Sequence, residues 1–242
     1  MNFLEYQKMF EIEEKHWWYV GKRKIVSALL KKFISNKKDN RILDIGCGTG
    51  IVLKMLNEYG LASGLDISKD ALSFCKERGL NSLFLGSATS LPFPDETFSL
   101  VTALDILEHI EDDTLALREI RRVLKKDGLA IITIPAFPNL CSSHDISLGH
   151  KRRYTFVELE KKVTSTGLKI SKINYSNFFL FPFVFAYRKF KKFVTKSVTI
   201  SDTGSVPILL NQIFIEVYGI ETQLIKKTKL PFGLSLICVA KK

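Results

Sequence analysis

Residues Arg41–Gly50 read R-I-L-D-I-G-C-G-T-G, and the order of residue types in this stretch decides the fold. The apolar run Ile42, Leu43 and Ile45 passes directly into glycines at 46, 48 and 50, the pattern of a buried strand entering a glycine-rich turn. Glycine accepts positive φ and carries no Cβ, so alternate glycines at a strand's carboxyl end let a nucleotide-sized ligand approach the backbone. The following Ile51–Tyr59 has helical spacing, with Val52, Met55, Leu56 and Tyr59 on one face. Glycine turns also join strands to helices for packing alone, so the next segment matters. Ala62–Ile67 is again apolar and contains Asp66, placed where a carboxylate can accept from both hydroxyls of a ribose. A helix N-cap or turn residue is the other reading of Asp66.

Outward from this unit, strands and amphipathic helices alternate. Ile42–Ile45, a helix from Ile51, Ala62–Ile67, a helix over Lys69–Arg78, Ser82–Leu85, Phe98–Leu104, a helix over Asp113–Leu124 and Leu129–Ile134 follow in order. Such alternation predicts parallel strands with right-handed crossovers, and ligands that bind beyond the strands' carboxyl ends. That rim carries Gly46–Gly50, Asp66, Gly86–Ala88 and Leu104–His109. Ahead of it, residues 1–40 read as a helical segment holding His16-Trp17-Trp18-Tyr19, four consecutive rings that no helix can bury on one face. They either staple the segment to the core or present a ring to a pocket. Beyond Pro135 comes a polar loop, Ala136–Tyr154, and then a helix whose Thr155–Glu158 has capping-box spacing and whose stop is Gly167. Leu168–Tyr175 and Leu234–Ala240 are the last strand candidates, separated by an insertion over about 178–230.

The 242 residues, 46% of them hydrophobic, suit one α/β domain with additions: an N-terminal segment 1–40, a nucleotide-binding half 41–135 and a second half 136–242. Cys47, Cys75, Cys141 and Cys238 are scattered with no C-x-x-C pair, which predicts a reduced, cytoplasmic setting. Charge interrupts the first fifteen residues, so neither a secretory signal nor a membrane span is expected there. A formal net charge of +11 suits phosphates, anionic lipid or nucleic acid as partners, and equally a solvated lysine-rich surface.

Four stretches together resemble the class I S-adenosylmethionine-dependent methyltransferases: L-D-I-G-C-G-T-G at 43–50, G-L-D-I-S at 64–68, L-P-F-P-D-E-T-F-S-L-V at 91–101 and A-L-D-I-L-E-H-I at 103–110. The resemblance implies a Rossmann-like, mostly parallel seven-stranded sheet with helices on both faces and an antiparallel last strand. It implies S-adenosylmethionine as cofactor. Asp44 and the turn Gly46, Cys47, Gly48 and Gly50 would surround its methionine part, Asp66 its ribose, Ile67 its adenine face, and Ser87 and Ala88 the adenine edge, with Leu104 on the same rim. Where the family usually has an aspartate for the adenine amine, this chain has Ser87, an uncharged acceptor. Ser99 likewise replaces a common aspartate at the start of a strand. The stretches H-W-W-Y-V-G-K-R, H-D-I-S-L-G-H-K-R-R-Y-T and L-P-F-G-L-S-L-I-C-V-A are similar to a bacterial and archaeal subgroup often linked to polysaccharide, glycolipid or small-molecule biosynthesis.

Methyl transfer is an in-line displacement, so the enzyme must align donor and acceptor, and a hydroxyl acceptor benefits from a base. Histidine suits that task near neutral pH. His144 and His150 bracket Asp145 in the loop after the fifth strand and are the predicted catalytic group, Asp145 orienting one imidazole. Arg152 or Arg153 would bind an anionic group, and Tyr154, His109, Trp17 and Trp18 would complete the acceptor site. Two histidines and an aspartate could instead hold a metal, but the spacing is not helical and no cysteine joins it, so no metal is assigned. The aromatic and basic Phe178–Lys196 suits peripheral contact with an anionic membrane, a lipid-linked acceptor, a second subunit or simple packing. The leading expectation is O-methylation of a small-molecule, saccharide or lipid-linked acceptor. N- or C-methylation is the alternative within the class. RNA binding or modification is the alternative outside it, disfavoured because no N-P-P-Y-type motif or RNA-binding module is present.

Overall fold

The computed structural model describes residues 3–34, 40–186 and 206–242, the side chains of 143 and 144 excepted. Seven strands form one sheet: β1 (Arg41–Ile45), β2 (Leu61–Asp66), β3 (Leu83–Leu85), β4 (Phe98–Leu104), β5 (Leu124–Pro135), β6 (Lys169–Ser176) and β7 (Ser235–Lys241). Their order is β3-β2-β1-β4-β5-β7-β6. The first five pair in parallel, and β7 runs antiparallel between β5 and β6. This is the expected Rossmann-like sheet with its antiparallel last strand.

Helices cover both faces because strand residues alternate in direction. Leu43, Ile45, Val101, Ala103, Ile132 and Cys238 face α5 (Asp113–Val123) and α7 (Phe156–Ser165). Ile42, Leu100, Ile131, Ile237 and Val239 face the opposite layer of α2 (Trp17–Phe33), α3 (Ile51–Leu56), α4 (Lys69–Glu77) and the C-terminal α8 (Ile208–Lys227). A one-residue slip in any central strand would exchange these two cores. The expected capping box at Thr155 and Glu158 is present, and Gly167 adopts φ +85 beyond the helix it ends.

Several boundaries differ from the sequence reading for identifiable reasons. The N-terminal segment is two helices, α1 (Phe3–Ile12) and α2, with the His16 Nδ1 accepting from Trp18 N at the start of the second. α3 stops at Leu56 because the chain turns to bury Tyr59, whose hydroxyl meets Ser27 Oγ at 2.7 Å. β5 begins at Leu124, not Leu129, since Phe98 pairs with Leu124 before a bulge carries the register to Leu100–Leu129. Ser99 hydrogen-bonds Asn40 Oδ1 and Arg41 O, which serves the start of β4 without a carboxylate.

The polar loop after β5 contains the short α6 (Ser143–Ser147). In the insertion, Glu221 of α8 is buried and accepts from Asn177, Phe178 and Phe179 N, closing a turn that leads into a helical stretch over 181–186. Phe178 and Phe181 pack against Phe232, and Phe181 also against Phe137, so part of the aromatic run belongs to the fold. Arg188–Lys196, the basic part of that run, lies outside the described residues. Among the described residues no helix is long and apolar enough to cross a membrane.

Candidate active site

At the carboxyl end of β1 the glycine turn takes a conformation only glycine holds without strain: Gly46, Gly48 and Gly50 have φ of +68, +54 and +87. A Cβ on Gly46 would lie 2.7 Å from Ile106 Cδ1, so this turn packs directly against the turn that follows β4. Asp44 is fully buried. One carboxylate oxygen accepts from Thr102 Oγ1 at 2.7 Å, and the other has no partner among the described residues. Burial pushes its carboxyl up to about 7, with the Thr102 hydrogen bond opposing and nearby Asp66 adding to the rise. Asp66 accepts from Gly48 N and Ser68 N, both at 2.9 Å, which ties the ends of β1 and β2 together. Ile67 is 76% exposed beside it. Ser87 accepts from Thr89 N in a local turn, and Ala88 is buried. Leu104 is half-buried and packs on the α2 layer, while the Cys47 side chain turns away to Cys75, 3.9 Å distant in the core.

The N-terminal segment roofs this side. Tyr6 is buried against Asp66 and Ser68, and Met9 Cε lies 3.0 Å from a Cβ built on Gly48. Buried Glu13 accepts from Thr49 Oγ1 and from Arg78, whose Nε donates to Thr49 O, so one ion pair clamps the helix to the turn. Sequence reasoning missed Glu13 and Arg78, which lie far apart in the chain and carry no motif. A cavity of about 590 Å³ between Arg41, Asn57, Leu61, Ser82 and Phe98 opens at the strands' amino ends, away from this rim.

The second half of the rim follows β4. Asp105 has φ +52, accepts from Thr133 Oγ1 and pairs with Lys22 of α2, which also lies 4.8 Å over the Trp18 ring. Glu108 is fully buried, and neither carboxylate oxygen has a hydrogen-bond partner among the other described residues. Burial pushes Glu108 up to about 8 and Lys22 down to about 8, each opposing the other's shift. The His109 ring packs edge-on against His150, centroids 4.8 Å apart, and burial with that neighbour pushes it down to about 4.

Asp145 is brought to His150 as the sequence reading places it, with 3.0 Å between Asp145 Oδ1 and His150 Nδ1. It is also fully buried and accepts from Ser142 N, Ser142 Oγ and Arg153 Nε. Burial acts to raise its carboxyl, but the bonds from His150 and Arg153 hold it well below the usual range. Both Asp145 oxygens are taken up by these donors, which favours a positioning role for it over a ligand role. A cluster that does form among the described residues is Glu108, His109 and His150, one donor atom from each within 4.8 Å of the others. The His144 side chain lies outside the described residues.

Other acceptor-side expectations are corrected by burial. Arg153 does not face an acceptor: it is buried, bonded to Asp145 and to Ala136 O. Tyr154 sits in the core, 2% exposed, its hydroxyl donating to Asp113 Oδ2 at 2.7 Å. Trp17 packs on Phe214 and Tyr218 of α8 and is the staple, while Trp18 leans toward Lys22. Arg152 reaches Glu111 O and Asp113 at the outer edge. Glu108 and Lys22 are the residues the sequence reading overlooked. The first stood beside His109 in L-E-H-I, and the second four residues after Trp18 on one helix face.

Comparison with known proteins agrees with this architecture. Residues 43–132 match the methyltransferase domain family. An uncharacterized protein of Methanocaldococcus jannaschii is 38% identical over 131 residues, 52% of this chain and 55% of the relative. YrhH of Bacillus subtilis, provisionally named a methyltransferase, is 32% identical over 146 residues, 57% of this chain and 75% of its own. The first curated relatives are matched over about half their length. A solved structure from Thermotoga maritima, described as a possible histamine N-methyltransferase, superposes with a TM-score of 0.63 at 19% identity, covering 98% of this chain and 95% of that one.

Proposed function

Because the chain belongs to the class I S-adenosylmethionine-dependent methyltransferases, we propose that it moves a methyl group from that donor to a hydroxyl of a small-molecule, saccharide or lipid-linked acceptor. The observation that carries this reading is the contact of the glycine turn with Ile106, which sets the donor turn against the turn bearing His109. The donor side fits a cationic amino-acid sulfonium joined to a nucleoside. Asp44 offers an unpartnered buried oxygen for an ammonium group, the glycine turn leaves room for close approach, and Asp66 stands where a ribose would be held. When bound, the cofactor supplies an electrophilic methyl group.

The remaining work falls to this chain's own residues. Asp44 and Asp66 would hold the donor, Ile67 and Ala88 would contact its base, and the roof of Tyr6 and Met9 would exclude water. On the acceptor side, the paired rings of His109 and His150, the latter oriented by Asp145, assist loss of the hydroxyl proton. A lipid-linked acceptor is favoured by the exposed Phe183, Ile208, Leu209, Ile213 and Ile220, which leave apolar side chains exposed within the insertion.

Calorimetry with S-adenosylhomocysteine and with NAD tests the donor, and binding of NAD alone would end the reading. For the acceptor, phenolic, sugar and lipid-linked hydroxyls are offered beside amines while S-adenosylhomocysteine release is followed. Release with a hydroxyl substrate, reduced about 100-fold or more in His150→Ala, supports O-methylation. Release with amines alone overturns it.

A further inference from the structure

The Glu108, His109 and His150 cluster has features that acid–base assistance by imidazole alone leaves unexplained. One potential ligand atom of each residue lies within 4.8 Å of the other two. Glu108 is fully buried, and neither carboxylate oxygen has a hydrogen-bond partner among the other described residues. A buried carboxylate without a partner in contact is costly even where Lys22 and Arg153 act on it through space, and such groups are normally paired or bound to a metal. The nearby cations do not pair with it by contact, since Lys22 pairs with Asp105 and Arg153 with Asp145. Glu108 is thus a buried carboxylate left without a counter-ion in contact among the described residues.

The imidazoles are prepared in a complementary way. His109 Nδ1 lies 3.3 Å from Gly149 O, and His150 Nδ1 lies 3.0 Å from Asp145 Oδ1. A ring that donates from Nδ1 to a carbonyl or carboxylate keeps a bare lone pair on Nε2 and a fixed orientation, the usual second support of a metal-bound histidine. Gly149 has φ +74, and its carbonyl is positioned by the same loop that carries Asp145 and His150.

We propose that Glu108, His109 and His150 bind one divalent transition-metal ion, of the zinc or manganese kind, through one carboxylate and two imidazole nitrogens. Three protein ligands leave coordination positions open, and two of them, Glu108 and His109, closely follow Ile106, which touches the donor-binding glycines. A hydroxyl acceptor entering such a position loses its proton to solvent at lower pH than it would in water. Its oxygen lone pair forms the new O–C bond while the S–C bond electrons remain on sulfur. This deepens the O-methylation reading and rests on it for the acceptor, but the cation site stands or falls by itself. The histidines then assist by holding the cation, and Asp145 positions His150.

The test uses the full chain, stripped with a chelator and titrated with cobalt(II) by calorimetry and visible absorption, with zinc(II) as competitor. The proposal expects one ion per chain, and at least about tenfold weaker uptake in Glu108→Gln, His109→Gln and His150→Gln. S-adenosylhomocysteine affinity and melting temperature are measured on each variant, and His109→Gln, which removes a half-buried ring, guards against a folding defect in the buried Glu108 variant. No stoichiometric uptake, uptake unchanged in all three variants, or thiolate-to-cobalt absorption that vanishes in Cys141→Ser would overturn it. Failure to bind S-adenosylhomocysteine would break the methyl-donor reading while leaving the metal titration to be judged separately.

Discussion

The donor and acceptor halves of the rim are built in opposite ways. The donor half draws on the ends of neighbouring strands, β1 and β2, and much of what it offers is backbone: three glycines in left-handed conformation and an aspartate tied to Gly48 N. The acceptor half joins α2, the turn after β4 and the 136–154 loop, and it is made of side chains bonded to side chains: Lys22 with Asp105, Asp145 with His150 and Arg153. A donor common to many enzymes can be met by a backbone shape that one short motif encodes. An acceptor that differs between enzymes is met by side chains that can be exchanged one at a time.

The largest effect is expected where the acceptor half is most tightly knit. Asp145→Ala leaves Arg153 buried without its counter-charge and frees His150, a loss of about 3 to 5 kcal/mol in unfolding free energy. Denaturant titration measures it. If the halves are independent, S-adenosylhomocysteine affinity of the folded variant stays within about twofold. A parallel collapse of that affinity would show that they are a single unit.

Gly46→Val attacks a place where the halves touch. The valine would need φ +68 and would place its Cβ 2.7 Å from Ile106 Cδ1. Loss of S-adenosylhomocysteine affinity by about 100-fold or more is expected from strain and clash together. Adding Ile106→Ala relieves the two shortest contacts, at 2.7 and 2.8 Å, and leaves the strain, so the double variant is expected to recover only part of the loss. Full recovery would mean that the contact with the acceptor turn, and not the backbone conformation, shapes the donor site.

The same division explains what could be read from the sequence. The sheet, the turn at Gly46–Gly50 and the place of Asp66 follow from apolar periodicity and contiguous residue types, which report local structure. Glu13 with Arg78 and Lys22 with Asp105 are long-range ion pairs between residues with no shared periodicity, so nothing local marks them. Arg153 and Tyr154 were misplaced for a related reason: in a polar loop they look like surface, and only the packing of that loop against α5 and β5 buries them. Glu108 stood in plain view within L-E-H-I, but its burial depends on the whole rim.

A smaller effect tests the outer support of the acceptor loop. Asp113 is buried. Burial acts to raise its carboxyl, but the bonds from Lys162 and Tyr154 outweigh that and hold it below the ordinary range. A group with a depressed folded pKa contributes stability above its unfolded value, about 4, and loses that contribution as pH falls through the folded value. Tyr154→Phe removes one donor and leaves those of Lys162, Arg152 and Thr114, and should cost about 1 kcal/mol at pH 7. Thermal melts should show the gap between variant and wild type persisting at pH 5 and narrowing below about pH 4. A gap that does not narrow in acid would assign the loss to packing around Tyr154 and not to Asp113.

The smallest effect concerns Ser87, where the resemblance to class I methyltransferases implies an aspartate. Ser87 is not idle: its hydroxyl lies 2.8 Å from Thr89 Oγ1 and accepts from Thr89 N, so it fixes the turn after β3. A carboxylate at this position could accept from the same two groups, because aspartate closes such turns as readily as serine, and would have acceptor capacity left for an exocyclic amine. Ser87→Asp is therefore expected to keep the turn and tighten S-adenosylhomocysteine binding, by less than about tenfold because the charge is partly exposed. The control is S-inosylhomocysteine, which carries a carbonyl in place of the amine and should bind the variant no better, and in fact worse, than wild type. Opposite responses to the two ligands would place the adenine edge at residue 87. Equal gains with both would mean that the mutation only stiffened the turn, and that even on the donor side recognition of the base comes from backbone and not from this side chain.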